Sequence, residues 1–206
     1  MNYLAHVYLS GSNADILAGN FMGDFVKGRD YLNYPENISN GMVLHRFIDS
    51  FTDQHEISVQ MREKLRPYCG RYAGIALDMI YDYYLAKQWA NYSAVSLEVY
   101  SQETYSKLED YFEMMPQNCQ QLYVAMRRMN WLLVYQSLDG IGRSMNGLDH
   151  RLGGNTGFPK TIDLLEDNEI NLIDGFNRFF PELESACLEK IASFTRVSKG
   201  KKENKI

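Results

Sequence analysis

The 206-residue sequence is poor in cysteine, and the few cysteines that it has are far apart. Cys69, Cys119 and Cys187 are odd in number, and no CxxC pair occurs. A disulfide framework needs paired cysteines, and a cysteine zinc site needs closely spaced thiolates. We therefore expect neither kind of site in this protein.

Long apolar runs are also missing. No stretch approaches the roughly 20 consecutive apolar residues that a helix needs to cross a bilayer. The first 15 residues, MNYLAHVYLSGSNAD, lack the basic region and the sustained apolar run of a signal peptide. The sequence therefore predicts a cytoplasmic protein that does not insert into membranes.

Positive charge is scarce as well. The chain has 21 Lys and Arg against 26 Asp and Glu, which gives a formal net charge of -5. Nucleic-acid-binding domains are usually basic, so we expect no nucleic-acid partner. A net negative charge still permits a local basic patch, because it says nothing about how the charges are distributed.

Helical periodicity dominates what is present, and no alternating strand pattern occurs. The length and the 45% hydrophobic content suit one soluble globular domain. We predict an all-α, single-domain bundle of about seven to nine helices over residues 1–197, followed by a disordered lysine-rich tail over residues 198–206. The helical segments are 13–28, 38–54, 58–68, 74–90, 97–115, 119–138, 162–180 and 181–194, with residues 139–159 as a glycine-rich connector or short-helix region.

The segment GMVLHRFIDSFTD, residues 41–53, combines an apolar stripe with a polar one. Leu44, Ile48 and Phe51 have the spacing of residues that face a protein core. His45 and Asp49 are four residues apart, so they share a neighbouring face of the same helix. This second face is where we look for chemistry.

The segment 74–90 carries a second polar pair, in a helix that is apolar on nearly all sides. Such a helix is usually buried. Asp78 and Asp82 are four residues apart and would repel each other, and their carboxylates would be costly to desolvate. A positive group should compensate them, which could be an arginine, a lysine or a metal ion.

A third pair lies in the segment 13–28, where Asn20 and Asp24 are again four residues apart. Gly19 and Gly23 precede them, so the backbone there can be approached closely. Upstream, His6 interrupts the apolar stretch YLAHVYL. Three helices thus each offer a pair of oxygen- or nitrogen-bearing side chains, with one histidine in addition.

Each pair also has a purely structural explanation. His6 could be a hydrogen-bonded core histidine, and Asp24 could pair with Lys27 on the surface. His45 and Asp49 could form a local pair on a solvated face. A buried arginine of the MRRMNW segment, Arg127 or Arg128, could satisfy the aspartates of segment 74–90. The coincidence of three such pairs favours a common site over these separate explanations.

The sequence resembles the acyl carrier protein phosphodiesterase family in four motifs that occur in a fixed order. They are MNYLAHVYLS, LAGNFMGDFVKG, GMVLHRFIDSFTD and LDMIYDYYLAKQW, all within residues 1–90, with only fragments such as NGLDHRL beyond. The family is similar to the HD-domain phosphohydrolases in being all-helical and metal-dependent. It lacks their adjacent His-Asp dyad, and this sequence contains no HD dipeptide either.

The resemblance implies a phosphodiester cleavage. The family removes 4'-phosphopantetheine from the serine of holo acyl carrier protein, leaves the apo form, and uses Mn²⁺ or Mg²⁺. Carboxylates and imidazoles without thiolates suit these ions. A divalent ion neutralises the anionic diester and lowers the pKa of a bound water, which supplies a nucleophile near neutral pH.

The resemblance also suggests roles for the polar residues. We expect the metal to be bound by Asp24, His45, Asp49 and Asp78, and we expect Asp82 to act in catalysis with them. We expect Asp82 and His6 either to bind the metal as well or to form hydrogen bonds with its ligands. We expect Asn20 to orient a ligand or a water molecule. Arg46 and Lys27 would contact the phosphate or the partner.

The substrate raises an electrostatic difficulty, because acyl carrier proteins are acidic and this chain is acidic too. Recognition would need a basic rim around the site. The candidates for that rim are Lys27, Arg29, Arg46, Arg62, Lys64, Arg66, Arg143 and Arg151.

Two other functions stay open at this level. The first is a metal-dependent phosphohydrolase of a nucleotide or another small phosphoester, because no motif reads the carrier protein directly. The second is a non-catalytic helical interaction module in which arginines satisfy the polar pairs. The sequence leaves the oligomeric state open.

Overall fold

The computed structural model describes residues 1–166 and 171–203, with side chains through residue 194. All regular elements in these ranges are helical, which confirms the all-α fold. Five are short 3-10 turns, at Gly23–Phe25, Asp30–Asn33, Gly70–Tyr72, Trp89–Asn91 and Phe112–Met114. The α-helices are α1 Tyr3–Tyr8, α2 Ala14–Met22, α3 Glu36–Gln54, α4 Glu56–Cys69, α5 Ala73–Lys87, α6 Leu97–Glu109, α7 Gln117–Met129, α8 Trp131–Val134, α9 Leu138–Arg151, α10 Phe158–Glu166 and α11 Ile173–Glu203.

Helices α2 and α3 cross at very close range. A Cβ atom at Gly19 would lie 1.9 Å from the backbone oxygen of Ile38, and one at Gly41 would lie 2.2 Å from that of Ile16. The two backbones are in direct contact here, because Gly19 and Gly41 have no side chains. This crossing brings the polar faces of α2 and α3 together.

Helix α5 lies in the centre of the bundle and packs against α11 through aromatic rings. The ring of Tyr81 on α5 stacks on Phe179 of α11 with centroids 5.4 Å apart and lies 5.5 Å from Phe176, which in turn stacks on Phe180 of the same helix at 5.0 Å. All four side chains are fully buried. Buried aromatic surface of this extent is a principal source of stability in a domain of this size.

The last two predicted helices have different bounds from those that the sequence suggested. Pro181 was expected to begin a new helix, but it lies inside α11. A proline in a helix interior removes one backbone hydrogen bond and is destabilising by about 3 kcal/mol. Phe179 and Phe180 directly precede Pro181, and the burial of both side chains in the core offsets this loss.

The predicted long helix over residues 119–138 is divided at Asn130. This residue has a φ of 45°, in the left-handed region that asparagine adopts more readily than most residues. The turn ends α7 and starts the short α8. The chain therefore changes direction here, which the periodicity of the sequence does not show.

The glycine-rich region 139–159 contains a long helix rather than only turns. The side chain of Ser137 accepts a hydrogen bond from the backbone N–H of Gly140 and caps α9. Ile141 and Met145 form its buried stripe. Glycine lowers helix propensity, but burial of this stripe decides the outcome.

The last helix extends into the C-terminal tail. The lysine-rich tail over 198–206 overlaps the end of α11, and its last three residues lie outside the described residues; disorder of the tail stays a prediction, as does the likeness to HD domains. In the described part of the chain, no helix combines the length and the hydropathy needed to cross a bilayer.

The α2–α3 crossing generates a test with a matched control. Gly41→Ala places a methyl group against the backbone of α2, and we expect a loss of about 1–3 kcal/mol in the free energy of unfolding. Gly147→Ala, in α9, meets no atom within 4 Å and should stabilise by up to about 1 kcal/mol. Urea denaturation of both variants measures the difference, and equal stabilities would contradict the close crossing.

Candidate metal centre

The buried amide of Asn20 positions two histidines. The Oδ1 atom of Asn20 accepts a hydrogen bond from Nδ1 of His6 at 2.8 Å and another from Nδ1 of His45 at 3.2 Å. The backbone oxygen of Asn20 also accepts a hydrogen bond from Nδ1 of His45, at 2.9 Å. The Nδ2 atom of Asn20 donates to the backbone oxygen of His6 and to Ser10 Oγ, each at 2.9 Å, which fixes the orientation of the amide. Because carbonyl oxygens only accept, both Nδ1 atoms carry a proton, and both Nε2 atoms point away from Asn20.

The two imidazole rings lie face to face. The centroids of His6 and His45 are 4.1 Å apart, and the ring planes differ by 18°. Gly23 makes room for this arrangement, since a Cβ atom there would lie 2.2 Å from the ring of His45. The glycine that precedes Asp24 is therefore required by the site itself.

Carboxylates face the two Nε2 atoms. Asp49 bridges them, with Oδ1 at 3.1 Å from Nε2 of His6 and Oδ2 at 3.2 Å from Nε2 of His45. Oδ1 of Asp24 lies 3.2 Å from the same atom of His45. One ligand atom each from His6, His45 and Asp49 lies within 4.8 Å of the others, which is a spacing that a single metal ion can span.

The charges of this cluster are strongly coupled. Burial opposes a charge on His45, but hydrogen bonds with Asp24 and Asp49 outweigh it and raise the pKa of His45 to about 9. The bond with His45 lowers the pKa of Asp24. Asp49 is partly buried, yet its bonds with both histidines lower its pKa. Burial and the neighbouring imidazole lower the pKa of His6. The cluster therefore favours one positive charge among its carboxylates.

Asp78 reaches the same cleft from α5, but its described partner is not an arginine. Its Oδ1 lies 2.9 Å from the amino group of Met1, which is also 3.9 Å from Oδ1 of Asp49. Burial opposes a charge on this amino group, but the two aspartates outweigh it and raise its pKa. Arg127 pairs instead with Glu109, so the suggestion that an arginine of segment 127–128 satisfies Asp78 is not supported.

Asp82 has a different environment from the one that we expected. It is completely buried and accepts hydrogen bonds from the backbone N–H groups of Leu4 at 2.7 Å and Ala5 at 3.2 Å. Burial outweighs these bonds and raises its pKa to about 7. These are the contacts of a residue that caps the start of α1, and they hold His6 in place through that helix. A catalytic role for Asp82 stays a prediction.

The two residues predicted to contact phosphate are engaged elsewhere. The guanidinium of Arg46 donates to the backbone oxygens of Gly28 at 2.8 Å and Val26 at 2.9 Å, and it lies over the ring of Tyr31. Nζ of Lys27 donates to the backbone oxygen of Asp24 at 2.6 Å. Both side chains therefore fasten the loop that follows α2, because its backbone carbonyls lack helical partners.

A cleft of about 820 Å³ opens over the cluster. Asp53 borders it as well, but its carboxylate is tied to Arg62 at 2.5 Å. A further wall of the cleft comes from α7, from α8 and from α9. Sequence reasoning missed this wall because it treated residues 139–159 as a connector; the serine cap and the i, i+4 apolar stripe of α9 were the available signals. Residues of this wall include Met129, Trp131, Tyr135, Arg143, Gly147 and Arg151.

The family described as acyl carrier protein phosphodiesterase matches residues 1–183 of this chain. This chain belongs to that family. A curated relative of that name from Klebsiella pneumoniae is 31% identical over 184 residues, covering 89% of this chain and 95% of the relative. One from Photorhabdus laumondii is 32% identical over 152 residues, or 73% and 77% of the two chains. No solved structure matches.

The role of Asn20 generates a testable prediction. Asn20→Ala leaves both Nδ1–H groups without their side-chain acceptor, so we expect Mn²⁺ affinity to fall about 10–100-fold. The unfolding free energy should fall by about 1–3 kcal/mol. Ser10→Ala is the control, because it removes one bond of the same amide and leaves both histidines held. Calorimetric titration with Mn²⁺ measures the affinity, and an unchanged value for Asn20→Ala would contradict the positioning role.

Proposed function

We propose that this protein is a metal-dependent phosphodiesterase. It hydrolyses the phosphodiester that links 4'-phosphopantetheine to the serine of holo acyl carrier protein, and it leaves the apo protein. The observation that carries the proposal is the convergence of His6, His45 and Asp49 within 4.8 Å, beside the cleft that His6 and Asp49 line, in a chain of this family. We further propose Mn²⁺ or Mg²⁺ as the cofactor and the cytoplasm as the location.

The donor set fits such an ion. In neutral imidazoles whose Nδ1 atoms are protonated, both Nε2 atoms present lone pairs, and Asp49 places an oxygen beside each of them. Electron-rich atoms in this arrangement attract a cation, which would take the place of the proton that His45 otherwise holds. Imidazole and carboxylate ligands without a thiolate suit Mn²⁺ or Mg²⁺. We propose His6, His45 and Asp49 as ligands, with Asp24 and Asp78 as the nearest further carboxylates.

The residues around the cluster would have different roles in the reaction. A bound divalent cation supplies Lewis acidity, because it neutralises the phosphodiester and activates water for attack. Asn20 holds both imidazoles in the required tautomer and orientation. Asp24 bonds to His45 while 59% of its side chain stays exposed, so it is placed to orient a water molecule that enters from the cleft.

The alternative functions fit the structure less well. A non-catalytic module would satisfy its polar pairs with arginines, but the described contacts of His6, His45 and Asp49 are among themselves, with Asn20 and Asp24, and with the amino group of Met1. A small phosphoester as substrate would favour a closed pocket. The cleft is instead bordered by exposed arginines and exposed apolar side chains, which favours a protein substrate.

Metal dependence provides the first test of the proposal. Chelation should abolish activity, and Mn²⁺ or Mg²⁺ should restore it. Metal at 100 times its dissociation constant should raise the thermal midpoint by about 5–10 °C, since only the folded protein assembles the site. Asp49→Asn should reduce turnover by about two orders of magnitude or more. Asp53→Asn, one turn later on α3, is the control and should retain activity. Full turnover in excess chelator would remove the metal from the proposal.

Product analysis provides the second test. Holo acyl carrier protein incubated with this protein and Mn²⁺ should lose the mass of its phosphopantetheine group, as measured by intact-protein mass spectrometry. The Asp49→Asn protein should leave that mass unchanged over the same period. If holo carrier protein stays intact while a small phosphoester is hydrolysed at a Mn²⁺-dependent rate, the small-substrate alternative replaces the proposed one.

A further inference from the structure

The cleft is lined by charges of both signs. Asp24, Asp49 and Asp78 line it at the metal cluster, and Arg143 and Arg151 line it from α9. A substrate that bears a phosphodiester is repelled by the aspartates until a cation is bound there. The wall formed by α9 is therefore the part of the cleft that attracts an anionic partner by itself.

Two arginines of α9 line the cleft and are available to a partner, whereas Arg46, another candidate for a basic rim, is not. Both guanidinium ends of Arg46 are fixed to backbone oxygens. Among the described residues, Arg143 pairs with Asp139, one turn earlier on α9; both side chains are exposed, so the pair is weak. Within the described part of the chain, Arg151 forms no hydrogen bond or ion pair. The cleft thus contains one free guanidinium and one that is easily recruited.

Gly147 lies midway between the two arginines on the same side of α9. At 1.5 Å per residue, positions 143 and 151 are about 12 Å apart along the helix axis. A Cβ atom at Gly147 would meet nothing within 4 Å, and its φ is not positive. Neither packing nor backbone conformation therefore requires a glycine here. The result is a shallow gap between two cations, where another backbone can approach closely.

Exposed apolar side chains border the same opening. Met129 is 58% exposed and Ile75 is 41% exposed, and both line the cleft. Basic groups beside apolar ones complement an amphipathic helix with acidic residues along its edge. A small phosphoester would not cover these side chains. The chemistry of the surface thus fits an acidic helical protein.

We propose that the α9 face, formed by Arg143, Gly147 and Arg151, is the surface on which the acidic carrier protein docks while its phosphodiester reaches the metal centre. This inference rests on the proposed function, because it takes the carrier protein as the substrate. It also answers the electrostatic difficulty. The chain has a net charge of -5, so the attraction must come from a local patch that acts within about 10 Å at 0.1 M salt.

Reversing the charges of the α9 arginines tests docking of the carrier protein separately from catalysis. The double variant Arg143→Glu/Arg151→Glu should lower kcat/KM for holo carrier protein about 100-fold, mainly through KM, at about tenfold for each reversed charge. Hydrolysis of bis(4-nitrophenyl) phosphate with Mn²⁺ should change little. Arg66→Glu is the matched control, because Arg66 is similarly exposed and pairs with Glu63 on its own helix, away from the cleft.

Apo carrier protein lacks the phosphodiester, so its binding reports on the docking surface alone. In an NMR titration with ¹⁵N-labelled apo carrier protein, the wild type should perturb the carrier's resonances, and the double variant should not. Gly147→Trp should weaken this binding by filling the gap, and Gly147→Ala should weaken it much less, because a methyl group fills little of the gap. Folding of each variant is checked by its thermal midpoint.

Each outcome has a distinct meaning. Unchanged kcat/KM in the double variant, or no binding of apo carrier protein to the wild type, overturns the docking surface. An equal loss on the small diester also overturns it, because the arginines would then act on the phosphate. If the wild type binds apo carrier protein through the α9 face but never cleaves the holo form, docking stands and the proposed function fails.

Discussion

The site depends on one buried amide. Asn20 accepts hydrogen bonds from the Nδ1 atoms of His6 and His45 and returns one to the backbone of His6. It therefore joins α1, α2 and α3 at a single point and fixes both imidazole tautomers. Such a group is expensive to bury unless all its bonds are made. Here every one is made, which is possible only because Gly19 and Gly41 let the two long helices touch.

The cluster that this amide holds together has an excess of lone pairs and negative charge. His6, His45 and Asp49 bring lone pairs and negative charge to one place, and the proton of His45 and the amino group of Met1 supply the balancing charge. A fold that needed only stability would not gather these groups, because their desolvation opposes folding. The arginines of α9 that line the same cleft have few internal partners. The cleft thus combines metal-binding residues with residues that attract an anion.

Several features of the fold followed from local patterns, and others did not. The apolar stripe of α3 was predicted, and the structure buries its Leu44 and Ile48. The predicted helix break at Pro181 was wrong, since aromatic packing against α5 outweighs the lost hydrogen bond. The connector predicted for residues 139–159 contains α9, because burial of its apolar stripe outweighs the low helix propensity of its glycines.

The sequence by itself determined the all-α class, the family, and the three i, i+4 pairs, because spacing along one helix fixes which residues share a face. The tertiary structure alone decided how those faces meet. It brought His6 onto His45, gave Asp78 an amino group instead of an arginine, and used Arg46 to hold a loop. Helical periodicity cannot supply this information, because the rotation and crossing of each helix are set by contacts between residues that are far apart in the chain.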